Sequence, residues 1–485
     1  MTLLEKLLPK NWTPRYWTLF SLLCWGGVIL SSGVLRFDAY GIDESAAKAL
    51  LLSWSVADRV ISPVVIFGLP DFRSILFLPV GLYWPGSILA AKVFTLLIMF
   101  IGAMFFYRWN KNNSGAESAL IATGLLLISP LTLAQIDAIG IGPYLIFTFG
   151  LGIWLDQKHR TANKPLGAWY FIQLLLIVFA VSLHPMALAY PIALAIYWYN
   201  NPVDEKQQKH AFIGIGLATI FALLLHIGWT HVIWFSNPFG LFINIVIGEW
   251  TTDTLRMMIG SVLLGLLVIT LLADWKSLTS SLTGLILMIS FIIGLTCADE
   301  TWALLSFLLL VYLGTPRLIR VNAALGKNGF AGQRGIVMVV FSLLAILFMQ
   351  ADKAQYYANA QNQLSPQDRL ILTLESMFLD IDEETEILVM SEWPARTMLA
   401  TKRNVLPLPP SFENSQELME NIKGTTHVMF DKSSEQNKVL GTQLAELSGL
   451  TKTLSLQEGG VIMEIKRSSD DKNIPMGHDS LQGIQ

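Results

Sequence analysis

The sequence predicts an α-helical polytopic membrane protein of about eleven transmembrane helices, followed by a C-terminal extracytoplasmic α/β domain. Three observations carry that expectation. Hydrophobic residues make up 53% of the chain against 14% charged. Several nearly charge-free runs reach the roughly 20 residues that cross a hydrocarbon core of about 30 Å. Beyond residue 352 the apolar runs shorten to strand length and alternate with helix-patterned stretches.

The first apolar run, 16–35, follows Lys6, Lys10 and Arg15. It is long enough to span, and no small-residue cleavage site follows it, so it reads as a retained helix rather than a removed leader. Further spans are expected at 86–107, 116–134, 138–155, 167–183, 186–200, 211–235, 257–273, 279–297, 301–314 and 334–350. The fifth and sixth share a turn at His184–Pro185, and the ninth and tenth share one at 298–300. Basic residues set the orientation. Arg108 and Lys111, then Lys158, Arg160 and Lys164, then Lys206 and Lys209, then Lys276, then Arg317, Arg320, Lys327 and Arg334 fall in alternate loops, with Arg256 the exception. The positive-inside rule places these loops and the N-terminus in the cytoplasm. An odd number of spans then puts the loop 36–85 and everything after Gln350 on the outer side.

The expected domains are 1–351, the membrane domain with its first external loop 36–85; 352–467, the external α/β domain; and 468–485, a polar tail that reads as disordered. In the α/β domain, strands are expected at 386–390, 427–430 and 460–466, with helices at 394–401, 415–422 and 434–447. About 115 residues can bury a core of their own. The segment 236–250 is apolar but short, and reads either as an interfacial or re-entrant helix or as an ordinary loop helix. A net charge of −3 without like-charge blocks argues against a nucleic-acid partner. Cys24 and Cys297 both lie in or beside apolar segments, which fits core positions rather than a disulfide framework.

The chemistry concentrates in the loop 36–85, which holds Asp38, Asp43, Glu44, Asp58 and Asp71. Its middle, 45–60, has helical periodicity with Ala46, Ala49, Leu50, Trp54 and Ala57 broadly on one side, suiting a helix along the membrane interface. Asp43 and Glu44 then sit at its N-terminus, either as cap and first-turn acid or as catalytic carboxylates. Asp137 is expected to open the fourth span, where it reads as an N-cap. His184 before Pro185 reads as a local hydrogen-bonding residue or as a phosphate or metal contact. Arg59, Arg73, Arg256 and Lys48 are basic groups on the external side, each an interfacial anchor or a phosphate ligand, and arginine's fork suits phosphate better than lysine. Asp299 and Glu300 form a second acidic pair that reads as the cap of the tenth span. The acidic residues Asp43, Glu44, Asp137, Asp299 and Glu300 and His184 offer oxygen and nitrogen ligands for a divalent ion, but they come from separate loops with no spacing motif linking them, so a metal is not favoured.

An Asp-Glu opening an interfacial helix, D43-E44-xxxxx-L50-L51-L52, is followed by a second span that begins G86-S87-xx-A90-A91-K92. Ser129–Pro130 closes the third span, and Ser182–Pro185 spells SLHP. With the external α/β domain, these features resemble the GT-C class of membrane glycosyltransferases, and within it the protein O-mannosyltransferase and aminoarabinose transferase group. The chain departs from that pattern at Ala47, Lys48 and Ala49, where an aromatic is frequent, in the stretch LFLPVGLYWPG at 76–86, and at Lys92, where an arginine is usual. The resemblance implies a sugar donor linked to polyprenyl phosphate or pyrophosphate and an acceptor that is a lipid, a glycan or a protein. It also implies transfer with inversion on the outer face of a bacterial inner membrane, with no cofactor. On that reading Asp43 is the general base, Glu44 and Asp137 position substrate, and Arg73 or Arg256 clamps the phosphate. The rival readings are a transporter or flippase, which would keep its ionisable groups within the spans and show repeated halves, and a non-catalytic scaffold.

Overall fold

The computed structural model describes residues 26, 35, 41–56, 73–162, 167–202, 205–225, 279–294, 300–325, 366–379, 381, 387–409, 415–432, 435–446, 451–455 and 459–465. The expected spans at 16–35, 257–273 and 334–350, the segment 236–250 and the tail 468–485 lie outside them, apart from single residues of the first. The chain divides into two compact units: 1–37, 69–76 and 87–358 form one, and 38–68, 77–86 and 359–485 the other.

The first unit is helical. In chain order its helices are α3 (Ile88–Ser114), α4 (Ala116–Ile128), α5 (Pro130–Asp137), α6 (Gly142–Ala162), α7 (Ala168–Leu183), α8 (Ala189–Asn200), α9 (Glu205–Leu225), α10 (Leu282–Gly294) and α11 (Glu300–Leu325). Two earlier helices, α1 (Glu44–Val56) and α2 (Arg73–Tyr83), precede them in the chain. Helix α3 starts where Ser87 caps it, Oγ accepting from Ala90 N at 3.2 Å, and it runs past the expected end at 107 through the basic Arg108 and Lys111. Among the described residues α3 is the helix long and apolar enough to span a bilayer alone; α4 and α5 pass together as a pair bent by 47°.

That bend corrects the expected third span. Ser129 takes an extended conformation, its Oγ accepts from Leu131 N, and Pro130 occupies the first position of a new helix, where its missing N–H is harmless. Asp137 therefore closes α5 instead of opening the next helix. The following helix starts only at Gly142, because Gly140, Gly142 and Pro143 keep the intervening turn out of helical conformation.

Small residues let the helices approach closely. A Cβ at Gly102 on α3 would lie 2.8 Å from Phe147 N on α6, and one at Gly150 on α6 would lie 2.8 Å from Phe105 Cβ. This is the close backbone approach that membrane helices use where lipid supplies no hydrophobic drive. Buried hydroxyls are paired across helices: Tyr312 Oη with Thr123 Oγ1, and Thr95 Oγ1 with Tyr144 Oη, each at 2.8 Å. On α9 the residues Ile213, Leu217, Ile220, Phe221 and Leu224 form a helix-spaced stripe that is exposed, Leu224 by 69%. A contiguous apolar stripe of that kind is suited to hydrocarbon, not water.

The second unit contains α1 (Glu44–Val56), the part of α2 (Arg73–Tyr83) from Phe77 onward, and an α/β domain. Helix α1 falls where the periodicity of 45–60 predicts a helix; α2 forms although Pro79 lies inside it. The domain adds α12 (Pro366–Phe378), β1 (Leu388–Ser391), α13 (Pro394–Thr401), β2 (Asn404–Pro407), α14 (Ser415–Asn421), β3 (His427–Asp431), α15 (Glu435–Glu446), β4 (Thr451–Ser455) and β5 (Gly460–Ile465). The sheet order is β2-β1-β3-β5-β4, with β2, β1 and β3 parallel and β5 antiparallel to both its neighbours. One face packs Met390, Val428, Phe430, Val461 and Met463 on Leu418 of α14, on Ile422 just after that helix, and on Leu440 and Leu444 of α15. On the other face lie α12 and α13, and Leu370 of α12 sits so close that a Cβ at Gly460 would meet it at 2.7 Å. Arg396 ties these two helices together: Nη2 pairs with Asp368, and Nη1 donates to Gln367 Oε1 at 2.9 Å. The order reverses between β1 and β3, with α13 leaving β1 on one face and α15 leaving β3 on the other.

Candidate active site

Asp43 sits at the start of α1, exposed, and its Oδ1 accepts from Ser45 N at 3.0 Å, Ser45 Oγ at 2.9 Å and Ala46 N at 3.3 Å. The two backbone bonds satisfy N–H groups that have no partner within the helix. All three bonds fall on Oδ1, so one oxygen of this exposed side chain caps α1. Ile42 behind it is buried, as are Ala46, Ala47, Ala49, Leu50 and Trp54 on the face of α1 that packs against the rest of the unit. The exposed carboxylate thus stands on a helix fixed from below. Lys48 lies one turn along and is partly exposed.

Glu44 points elsewhere. Its Oε1 accepts from Ala395 N at 2.8 Å and its Oε2 from Arg396 N at 3.0 Å, both in the first turn of α13. Burial pushes the Glu44 carboxyl up to about 7, against the two N–H bonds and the charges of Arg396 and Lys48, which pull it down. A carboxyl raised from 4.5 in the unfolded chain to about 7 takes up a proton on folding, so stability falls as pH rises between those values and levels off above. Glu44→Gln removes that slope. Thermal unfolding from pH 5 to 8 is expected to show the wild type losing ground to the variant as pH rises, and parallel curves would contradict the raised value.

The helical unit holds a second charged group. Lys92 on α3, fully buried, donates from Nζ to Asp137 Oδ1 at 2.7 Å. A carboxylate in the last turn of a helix opposes the helix dipole, and the lysine offsets both that and the burial of the charge. The turn after Asp137 is held in several places. Ile139 takes φ 54°, a left-handed conformation that a β-branched residue rarely adopts. Its carbonyl accepts from Nη1 of the fully buried Arg73 at 3.1 Å, while Gln135 Oε1 accepts from Gly142 N at 3.1 Å. A side chain at Gly140 would collide with the Gln135 amide. His184 is buried between α7 and the 3-10 turn Pro185–Leu188, and its Nδ1 accepts from Met186 N at 3.2 Å.

Of the residues singled out from sequence, the structure therefore groups Asp43, Glu44 and Lys48 on α1, joins Glu44 to α13, and sets Arg73 on the turn that follows Asp137. Arg59, Arg256 and Asp299 lie outside the described residues, and Glu300 is described only as the first residue of α11. Lys92 and the α13 amides are the partners that sequence reasoning did not assign. For Lys92 the signal was present: a charge within an apolar span needs a counter-charge. Among the described residues no three His, Cys, Asp or Glu side chains come together as a metal centre.

No protein-family model and no curated protein matches the chain. Solved structures do. The crystal structure of ArnT from Cupriavidus metallidurans in the apo state aligns with a TM-score of 0.52 at 11% identity, covering 92% of this chain and 97% of that one. The same protein bound to undecaprenyl phosphate aligns with a TM-score of 0.47 at 12% identity over the same shares. The chain thus shares the fold of ArnT.

Proposed function

We propose that this protein is an integral-membrane glycosyltransferase that moves a sugar from a polyprenyl-phosphate-linked donor to a lipid, glycan or protein acceptor, with inversion, and that Asp43 is its general base. The observation that carries the reading is that Asp43 is an exposed carboxylate whose Oδ1 is fixed at the start of α1, a helix packed on its buried face. Inverting transfer needs a base on the acceptor hydroxyl opposite the departing phosphate, and an aimed carboxylate supplies it. The fold shared with ArnT supports the class of reaction, and the crystal structure of ArnT with undecaprenyl phosphate names the kind of lipid that protein binds.

The same reading keeps about eleven spans, a cytoplasmic N-terminus, an external α/β domain and the bacterial inner membrane. Arg59, Arg73, Arg256 and Lys48 are the proposed phosphate ligands, with Asp137 and His184 as substrate-positioning groups. No metal or organic cofactor enters the proposal. The test is transfer of labelled sugar by the purified protein in proteoliposomes, offered a panel of polyprenyl-phosphate-linked pentoses, aminopentoses and hexoses with lipid, glycan and peptide acceptors. Turnover with one donor is the expected result. Transbilayer movement of the donors without any transferred sugar would replace the enzyme by a flippase.

A further inference from the structure

We propose that Glu44 is a positioning residue: seated on the first turn of α13, its carboxylate fixes the start of α1, and with it Asp43, to the α/β sheet, so that the C-terminal domain sets the aim of the base. The inference rests on the reading of Asp43 as that base.

The argument begins with α13, which cannot cap itself. Its N-cap position is Trp393, whose side chain makes no capping bond, and its first residue, Pro394, has no N–H. Thr397 N reaches Trp393 O at 2.9 Å as the first helical bond, which leaves the amides of Ala395 and Arg396 to be satisfied from outside the helix. Glu44 takes both, one with each oxygen, from more than 350 positions earlier in the chain. With both oxygens engaged by backbone amides, Glu44 is committed to holding α13.

The place of α13 in the sheet makes this contact more than a stray cap. It leaves β1 beside the point where the strand order reverses, and Glu392, next to its N-cap, bonds across to β3 through N to Met429 O at 3.2 Å and through Oε2 to Asp431 N at 2.9 Å. At such a reversal an open α/β sheet presents a helix N-terminus to an anionic ligand. Here the chain supplies the anion itself. The remaining contacts stiffen the joint. Helix α1 packs its buried face on α13, Ser53 Oγ donates to Phe77 O at 2.8 Å, and a Cβ at Gly81 would lie 2.5 Å from Ser53 Oγ. From α13 the line continues through Arg396 to Asp368 and Gln367 on α12. Asp43, the neighbour of Glu44, is thereby carried on the domain.

The test uses the full-length protein in lipid nanodiscs and two readouts. Amide hydrogen exchange is followed in peptides covering 393–398, and kcat and KM are measured with whichever polyprenyl-phosphate sugar the wild type accepts. In Glu44→Ala the Ala395 and Arg396 amides are expected to exchange at least about tenfold faster, with the amides of β3 and β5 unchanged. The kcat should fall about 10- to 100-fold at a KM for donor within about twofold, the size expected from a misaimed catalytic group. Glu44→Gln, which keeps one acceptor oxygen, should recover part of both losses and serves in place of the alanine variant if the latter fails to fold. Unchanged exchange at Ala395 and Arg396 would overturn the docking. Faster exchange with an unchanged kcat would overturn the positioning role. A wild type that transfers no sugar removes the catalytic half of the inference together with the reading of Asp43, and the exchange data still decide the docking.

Discussion

Asp43→Asn is expected to fold like the wild type and to lose sugar transfer by roughly 10²- to 10⁴-fold, the range that a general base contributes. The substitution suits the geometry. Asparagine caps a helix about as well as aspartate, so its side-chain oxygen can go on accepting from Ser45 N, Ser45 Oγ and Ala46 N. What it removes is the basicity of the exposed carboxylate. Asp43→Ala, in contrast, also removes the cap and adds about 1 kcal/mol of destabilisation, which mixes the two effects. Transfer of labelled sugar measured beside thermal unfolding separates them. An asparagine variant with wild-type turnover would leave Asp43 as a cap alone and move the search for a base elsewhere.

Lys92→Met is expected to produce the largest loss of stability of any substitution considered, on the order of 3–5 kcal/mol. Lys92 is fully buried and Asp137 nearly so, and removing one partner strands a charge that water no longer reaches. Replacing both, as in Lys92→Met with Asp137→Leu, removes two desolvated charges together and should restore most of the lost stability, because a buried pair often stabilises little relative to apolar residues of similar volume. Unfolding in detergent by heat or denaturant, carried out as a double-mutant cycle, gives the coupling directly. Additive effects of the two single changes would show that the ion pair does not hold α3 to the end of α5.

How far these features were legible from sequence depends on the range of the interactions behind them. The first-loop helix and α13 are local in origin: an acidic pair before a helical periodicity, and a proline at a first turn, place both starts within a residue. The break at Ser129–Pro130 was legible for the same reason. Asp137 was misplaced because an acid beside an apolar run looks like an N-cap. The deciding factor is the run of glycines and Pro143 after it, which delays the next helix, together with a lysine some 45 positions away. Strands β2 and β4 were missed because both are sheet edges, short and partly polar, and β2 ends in Pro407, so neither shows strong alternation. The contact between Glu44 and α13 leaves almost no trace in sequence. Its hint is negative: a tryptophan where a helix beginning with proline would ordinarily have a capping residue.

That contact also has a history during biosynthesis. Glu44 is made 351 residues before the first amide it holds. At roughly 5–20 residues per second, about 20–70 s pass between the synthesis of the acid and that of its partner. Throughout that interval the segment that begins α1 is without the helix that completes it, and it can reach its final form only after α13 has been made. Ribosome-stalled chains ending before residue 394 should accordingly present the Glu44 segment to proteases that the finished protein resists.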